Sequence, residues 1–377
     1  MSASFTRRDW LKAAAASPVA LSALPFAAAA PGADDLKPVV DKAVGFLTKA
    51  QKPDGNFASN PRAGEPGLTA LIAAALVRNG VPADNAVVAK AMKYLESKVQ
   101  KDGGVYDSGL SNYMTCLAIV AFKETNAGGK YDKAIAAATK YVKSLQFDAG
   151  LTEKDLNYGG AGYDKPSERG RPDLSNTQFM VEALIAGGVS KDDPAIKKAL
   201  VFVGRSQNLK SEFNDQPFAT KANKDDEGGF VYNPADQDNP KSPKRTAEGG
   251  LRSEGGMTYA GLKSFLYAGV SKDDPRVKAA IDWIRRHYTV SENPGQKDAG
   301  LFYYYHTFAK AMDALGEDPF VDAKGAKHDW RQELFDELKK RQKDDGSWVN
   351  ANGQFLENLP ELATAFALLA LSYTKKK

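Results

Sequence analysis

The chain has 377 residues, a formal charge of +4 and 26% charged residues, which is typical of a globular protein with a large core. Both charge signs are interspersed and there is no basic stripe, so we do not expect nucleic-acid binding. The single cysteine, Cys116, lies in an apolar run and cannot form an intrachain disulfide or a multi-cysteine metal site.

The first 30 residues are typical of an export signal. Arg7 and Arg8 begin a twin-arginine pattern, an Ala-rich segment follows over 13–24, and small residues at 28–30 suit cleavage. The alternative interpretation is that the protein is cytosolic and that its N-terminal Arg-Arg pair occurs by chance. We expect residues 1–30 to be a bacterial twin-arginine (Tat) signal peptide and the mature chain to be periplasmic or extracellular. No run reaches the ~20 apolar residues of a spanning helix, so we expect no stable membrane span.

Hydrophobic periodicity divides the remaining chain into six helix pairs, each with an amphipathic first helix and a nearly apolar second helix. The predicted pairs are 36–51 with 67–79, 85–100 with 111–124, 131–145 with 174–187, 194–207 with 255–268, 275–287 with 303–315, and 330–342 with 360–373. Two near-identical linkers, 188–194 and 269–275, lie about eighty residues apart and indicate an internal repeat. Their acidic residues are expected to cap helices that begin with proline: Asp192, Asp193, Asp273 and Asp274.

A helix that is apolar on all sides must be covered on all sides, and the second helices meet this description at 71–77, 180–186 and 362–371. An inner ring of these helices inside an outer ring of amphipathic ones satisfies the requirement. An open solenoid would need polar end repeats, which this chain lacks. We therefore predict an all-α protein, an (α/α)6 toroid of six helix-pair repeats, as one monomeric domain over 31–377.

Polar residues collect where each turn enters a second helix, and a closed ring would gather them in one mouth above an apolar funnel. Two insertions, 153–172 and 209–252, enter the same end and carry glycines and tyrosines. Such loops often hold binding residues, although the tyrosines could equally pack the rim and the glycines serve turns. The candidate binding residues are Asn176, Tyr158, Tyr163, Tyr232, Tyr259 and Tyr304, and the candidate catalytic residues are Asp173, Glu254 and His306.

A turn motif recurs along the chain, most clearly as Gln342-Lys343-Asp344-Asp345-Gly346-Ser347-Trp348. Weaker copies begin at Gln51 and Gln100, and more degenerate ones at Gln146, Gln207 and near Lys297. The motif resembles the repeat of the squalene-hopene cyclase and prenyltransferase superfamily. That resemblance implies the same toroid and a deep apolar cavity suited to isoprenoid chains. We assign Gln342, Asp345 and Trp348 to stability rather than chemistry.

The resemblance does not extend to the catalytic sets of that superfamily. Class II cyclases carry Asp-x-Asp-Asp-Thr-Ala, and the similar stretch here matches its first Asp with Asp173 but has Ser175 in the place of the proton donor. A serine hydroxyl is too weak an acid to protonate an alkene. Prenyltransferases hold zinc with Asp, Cys and His, whereas Gly256 takes the Cys position beside Glu254. We therefore expect no metal and no cofactor.

The sequence thus predicts an exported toroid that binds, or transforms, an apolar isoprenoid-type ligand in a central cavity. If it is an enzyme, a terpene cyclase-like or prenyltransferase-like activity is expected. A carbohydrate-active or carbohydrate-binding toroid is one alternative, with Asp173 and Glu254 as an acid and base pair and tyrosines stacked on sugar rings. A non-catalytic scaffold of the cell envelope is the other.

Overall fold

The protein is described by a computed structural model for residues 30–60, 64–166 and 170–375, and the predicted signal peptide, apart from Ala30, lies outside them. The described residues form thirteen α-helices and one two-stranded sheet. The bounds are α1 Ala33–Ala50, α2 Gly67–Arg78, α3 Ala86–Ser97, α4 Ser111–Glu124, α5 Asp132–Lys143, α6 Leu174–Ala186, α7 Pro194–Arg205, α8 Pro217–Thr220, α9 Gly255–Tyr267, α10 Pro275–His287, α11 Leu301–Leu315, β1 Phe320–Val321, β2 Lys327–His328, α12 Trp330–Arg341 and α13 Pro360–Leu371.

Twelve of these helices make up the six predicted pairs, and only the one-turn helix α8 falls outside them. The second helices form an inner ring, in which α2, α4, α6, α9, α11 and α13 pack against one another in that order. The ring closes because α13 also packs against α2, and α1 lies outside α13. The predicted (α/α)6 toroid is therefore confirmed.

Asp193 and Asp274 cap the starts of α7 and α10 as predicted. The same prediction is wrong for Asp192 and Asp273, which are exposed and pair with lysines instead. The Asp193 carboxylate accepts a hydrogen bond from the Ala195 backbone N–H at 2.9 Å, and Asp274 caps Arg276 at the same distance. Proline follows each of these caps at the first helical position, where the missing N–H costs nothing. The two duplicated linkers thus start α7 and α10 in the same way.

The glutamine of the turn motif ties neighbouring outer helices together. The Gln342 side-chain amide donates to the carbonyl of Val39 on α1 at 2.9 Å and to that of Gly346 at 3.0 Å. Gln51 makes the equivalent bond to α3, Gln146 to α7 and Gln207 to α10. The bond from Gln342 joins the last repeat to the first, which supports the stabilising role predicted for the motif.

The glycine and tryptophan of the motif are fixed by close packing. Gly346 has φ +92°, and a Cβ at this position would lie 2.2 Å from the Lys42 carbonyl oxygen, so only glycine fits. Trp348 is fully buried, and its indole N–H donates to the Leu338 carbonyl at 2.8 Å. Both residues hold the turn against helices rather than exposing it to a ligand.

One expectation about the inner ring is wrong. The stretch 180–186 on α6 contains Glu182, and α9 and α11 carry Lys263 and Lys310; all three side chains are buried. The inner helices are therefore not apolar on all sides. The charged groups face one another inside the ring, where they pair instead of meeting lipid or solvent.

Candidate functional site

A funnel runs down the centre of the inner ring, and each inner helix presents one stripe of side chains to it. On α11 the stripe is Tyr303, His306 and Lys310, at the i, i+3, i+7 spacing of one helix face. On α6 it is Ser175, Phe179 and Glu182. Each helix turn goes about 5 Å deeper into the funnel. The first residues of a stripe therefore lie at the open mouth and the last lie at the closed side.

The mouth holds a cavity of about 340 Å³, a size typical of small-molecule sites. Its wall is mainly apolar and aromatic, with a few polar groups among the apolar side chains. The lining residues are Gly64, Leu110, Tyr113, Tyr163, Ser175, Phe179, Tyr232, Glu254, Gly256, Met257, Asn293, Gln296, Gly300, Tyr303, Phe355, Leu356, Glu357, Leu362 and Phe366.

Four rings from four inner helices make what we call the aromatic floor: Tyr113, Phe179, Tyr303 and Phe366. Phe179 packs edge-on against Tyr113 with ring centres 5.3 Å apart, and its ring centre lies 6.2 Å from that of Tyr303. Tyr303 in turn packs edge-on against Phe366 at 5.8 Å. The floor divides the funnel, because Phe179 lines the mouth cavity on one side and a small second cavity on the other.

Glu254 is one predicted site residue that lines the mouth cavity. Its carboxylate pairs with Lys244 of the long insertion, at a distance of 2.5 Å, and its side chain is 8% exposed. Burial raises the pKa of Glu254 above its usual range, in spite of the Lys244 ammonium. The pair places a charged group at the wall of a mainly apolar space.

Asp173 is close to the cavity but does not line it. It caps α6: one carboxylate oxygen accepts from the Asn176 backbone N–H at 2.8 Å, and the other accepts from the Asn176 side-chain amide at 2.8 Å. Burial raises the pKa of Asp173 to about 6, against the effect of these hydrogen bonds. Asp173 and Asn176 thus bind each other, and neither is among the residues that face the mouth cavity.

Ser175 does line the cavity, in the position where the resemblance would place a proton donor. Its hydroxyl lies 3.0 Å from the Tyr303 hydroxyl, so the two form a neutral hydrogen-bonded pair on the cavity wall. Such a pair can orient a polar group of a ligand, but it cannot supply a strong acid.

The predicted tyrosines separate into two groups. Tyr163 and Tyr232 line the mouth, with their hydroxyl oxygens 3.5 Å apart and Tyr163 43% exposed. Tyr158 instead lies near Lys198 of the outer helix α7. Tyr259 and Tyr304 are fully or almost fully buried behind the inner ring. The expectation that all of them share the mouth is therefore wrong for Tyr158, Tyr259 and Tyr304.

Helical geometry explains why Tyr304 is misplaced. Successive residues of a helix point about 100° apart, so Tyr303 faces the funnel while Tyr304 faces the outer shell. There the Tyr304 hydroxyl donates to the Thr289 carbonyl at 2.6 Å. Tyr259 packs on the same side, with its ring centre 4.9 Å from that of Phe308.

His306 also lies away from the mouth. It lines the second cavity below the aromatic floor, is 1% exposed, and stacks on Phe366 with ring centres 5.4 Å apart. Glu254 and His306 are therefore on opposite sides of the floor and do not belong to one site. The predicted catalytic roles of Asp173, Glu254 and His306 stay predictions.

Sequence reasoning missed Glu357, a second carboxylate at the mouth cavity. It is fully buried and accepts hydrogen bonds from the Tyr303 backbone N–H at 2.8 Å and from the Asn350 amide at 2.9 Å. Burial raises its pKa above the usual range. Its place just before α13, where polar residues precede every inner helix, is the signal that could have identified it.

Comparisons with known proteins support the same fold. The squalene-hopene cyclase C-terminal domain family matches residues 61–223, which is less than half of the chain. No curated protein matches the chain in sequence. The resemblance to the cyclase superfamily that the turn motif indicates is thus confirmed over this region.

Three solved structures are similar over nearly their whole length. The type II terpene cyclase MstE from Scytonema aligns with a TM-score of 0.53 and 14% identity, covering 90% of this chain and 98% of that one. An unsaturated glucuronyl hydrolase specific for heparin gives 0.52 and 15%, covering 91% and 97%. A sugar epimerase from a ruminal bacterium gives 0.51 and 11%, covering 89% and 98%. Structural similarity at such low sequence identity establishes the fold and leaves the activity open.

Proposed function

We propose that the chain binds an apolar small molecule of the isoprenoid type in the mouth cavity. The observation that carries this is the lining: apolar side chains from five inner helices surround about 340 Å³ of space. An apolar chain buried there would gain roughly 25 cal/mol for each Å² of surface removed from water. The same observation counts against a scaffold whose own loops fill the mouth.

The polar groups of the cavity fit binding better than acid-initiated cyclisation. Ser175 replaces the cyclase proton donor, and Asp173 is held as a helix cap by Asn176. Glu254, paired with Lys244, and the Ser175–Tyr303 hydroxyls then orient a polar end group of the ligand. A sugar ligand would need Asp173 and Glu254 to face one another across the cavity, and Asp173 is not among the residues that line it.

A cavity-filling variant tests the proposal. Gly256 lines the cavity at the start of α9, and a Cβ there would make ordinary contact with the Tyr303 ring at 3.4 Å. We expect Gly256→Leu to fold normally and to weaken binding of a fluorescent farnesyl or geranylgeranyl probe at least tenfold. The matched control is Gly45→Leu, since Gly45 is exposed on α1 and has open space around it.

Two outcomes decide against an isoprenoid ligand. Equal affinity of the probe for Gly256→Leu and for the unchanged protein would show that the probe binds elsewhere. Retention of an unsaturated uronic-acid disaccharide, with no affinity for the isoprenoid probe, would favour the carbohydrate alternative. Organic-solvent extraction of the purified protein followed by mass spectrometry identifies any ligand that it carries.

We also propose that the chain is exported through the twin-arginine pathway and acts as a periplasmic or extracellular monomer. The Arg7-Arg8 pair supports export. No helix in the described ranges has both the length and the apolarity needed to cross a bilayer. Replacing both arginines with lysine should leave the protein in the cytoplasmic fraction, and export of that variant at the normal level would contradict the proposal. Light scattering of the mature protein tests the monomer.

A further inference from the structure

Below the aromatic floor, three inner helices bring buried charged side chains together. The two carboxylate oxygens of Glu182 on α6 accept from Lys263 of α9 at 2.8 Å and from Lys310 of α11 at 2.5 Å. The three side chains are 8%, 1% and 3% exposed, respectively. We call these three residues the buried charge cluster.

The charges of this cluster do not balance. Two ammonium groups share a single carboxylate, so one positive charge has no counter-charge within the cluster. The nearby Arg78 does not change this sum, because it pairs with Glu124 at 2.7 Å. Burial lowers the pKa of Lys310 to about 7, as expected for an amine that gains only part of a counter-charge. An unbalanced buried charge is costly unless an ion or a proton shift compensates it.

A small cavity lies beside the unbalanced charge. It has a volume of about 10 Å³, close to what one water-sized guest needs, and Arg78, Glu182, His306 and Lys310 supply its polar wall. The remaining wall is apolar, with Phe179 closing it toward the mouth. The space therefore admits a single small species and excludes an organic ligand.

His306 gives independent evidence for a guest. Its ring is 1% exposed, and neither ring nitrogen has a hydrogen-bond partner. Burial, followed by the nearby Lys310 ammonium, holds the pKa of His306 well below its usual range. A neutral imidazole carries one N–H donor, and a buried donor without a partner is destabilising.

We propose that this cavity binds one small inorganic anion of about the size of chloride. The Lys310 ammonium and the Arg78 guanidinium supply positive charge, and the His306 N–H supplies a neutral donor. Both oxygens of Glu182, the carboxylate in the same wall, are already taken by the two ammonium groups. The anion completes the charge balance of the cluster and gives His306 the partner that it lacks. The site is separate from the mouth cavity and does not depend on the function proposed for it.

Chloride-dependent thermal stability tests the proposal. The protein would be dialysed into sodium gluconate and titrated with sodium chloride at constant ionic strength. We expect Tm to rise by about 2–4 °C and then to saturate, because the anion binds the folded state alone. Lys310→Met should abolish this response. Lys133→Met is the matched control, since Lys133 is exposed on α5 and should keep the full response.

Diffraction from crystals of the unchanged protein grown in sodium bromide provides a test that needs no variant. An anomalous bromine peak between Lys310, Arg78 and His306 is the expected result. The proposal is overturned by a Tm that responds equally to chloride and gluconate, or by a cavity that contains only water in bromide. A full chloride response in a folded Lys310→Met protein would also overturn it.

Discussion

The two sides of the aromatic floor are made from the same six helices, yet their chemistry is opposite. The mouth side is open, wide and mainly apolar, with one ion pair at its wall. The closed side is narrow and carries Glu182, Lys263 and Lys310 at very low exposure. Residues from the same stripe of α6 or α11 line both sides of the floor. Two helix turns along such a stripe lead from the mouth cavity to the buried ions.

The difference teaches how the fold divides its tasks. Long insertions enter at the mouth and contribute Tyr163 and Tyr232 to the cavity wall. At the closed side the ion cluster links α6, α9 and α11, and buried polar contacts of this kind accept only one relative placement of the helices. We infer that the closed side fixes the register of the inner ring, and that the mouth is free to specialise for a ligand.

The largest expected effect comes from removing the shared carboxylate. Glu182→Gln keeps the shape of the side chain but leaves Lys263 and Lys310 with no counter-charge from the protein. We expect the free energy of unfolding to fall by about 3–5 kcal/mol, measured by urea denaturation. Glu124→Gln is the control: its side chain is 30% exposed beside Arg78, and its loss should cost less than about 1 kcal/mol. Equal effects of the two variants would refute the claim that the shared carboxylate of the buried charge cluster costs more to lose than a partly exposed one.

The next effect comes from opening the floor. Phe179→Ala removes the ring that separates the two cavities and should cost about 3 kcal/mol through lost burial and the space left behind. It should also join the cavities, so that an isoprenoid probe of greater length binds than before. Phe179→Leu is the control that keeps most of the floor. If Phe179→Ala unfolds like the unchanged protein and binds the same probes, the floor does not separate the two regions.

A third prediction concerns pH and the mouth side. The pKa of Asp173 is raised by burial to about 6 in the folded state, against about 3.8 when unfolded, so the folded state holds this proton more tightly. Its stabilising contribution is present below about pH 4 and is lost as the pH rises through 6, by an amount on the order of 3 kcal/mol.

Asp173→Asn should remove this pH dependence, because the neutral amide oxygen still accepts the Asn176 backbone N–H and never ionises. Urea denaturation of both proteins at several pH values between 4 and 7 measures the difference. Parallel curves for the two proteins would show that Asp173 does not titrate in this range.

These comparisons also show what the sequence could reveal. The pairing of helices, the caps at Asp193 and Asp274, and the ring itself follow from periodicity and local chemistry, and they were predictable. Which residues face the funnel was not predictable. Whether Tyr303 or Tyr304 faces it depends on how α11 is rotated about its own axis, and the packing of neighbouring helices sets that rotation. The buried charge cluster was missed because Glu182, Lys263 and Lys310 are far apart in sequence, and each looks like a single exception within an apolar run.

The smallest expected effect on stability lies at the rim of the mouth, where Phe355 is 54% exposed and lines the cavity. It has φ +62°, a conformation that costs a non-glycine residue about 1 kcal/mol, and its ring approaches Gly300. Because the ring buries little against the protein, Phe355→Ser should change the free energy of unfolding by less than about 0.5 kcal/mol. If the rim contributes apolar surface to a ligand, the same variant should weaken binding of an isoprenoid probe about fivefold, or roughly 1 kcal/mol. If Phe355→Ser loses stability but keeps its affinity for the probe, Phe355 stabilises the fold and does not bind the ligand. The rim would then act like the closed side, which stabilises the ring, and not like the wall of the mouth cavity.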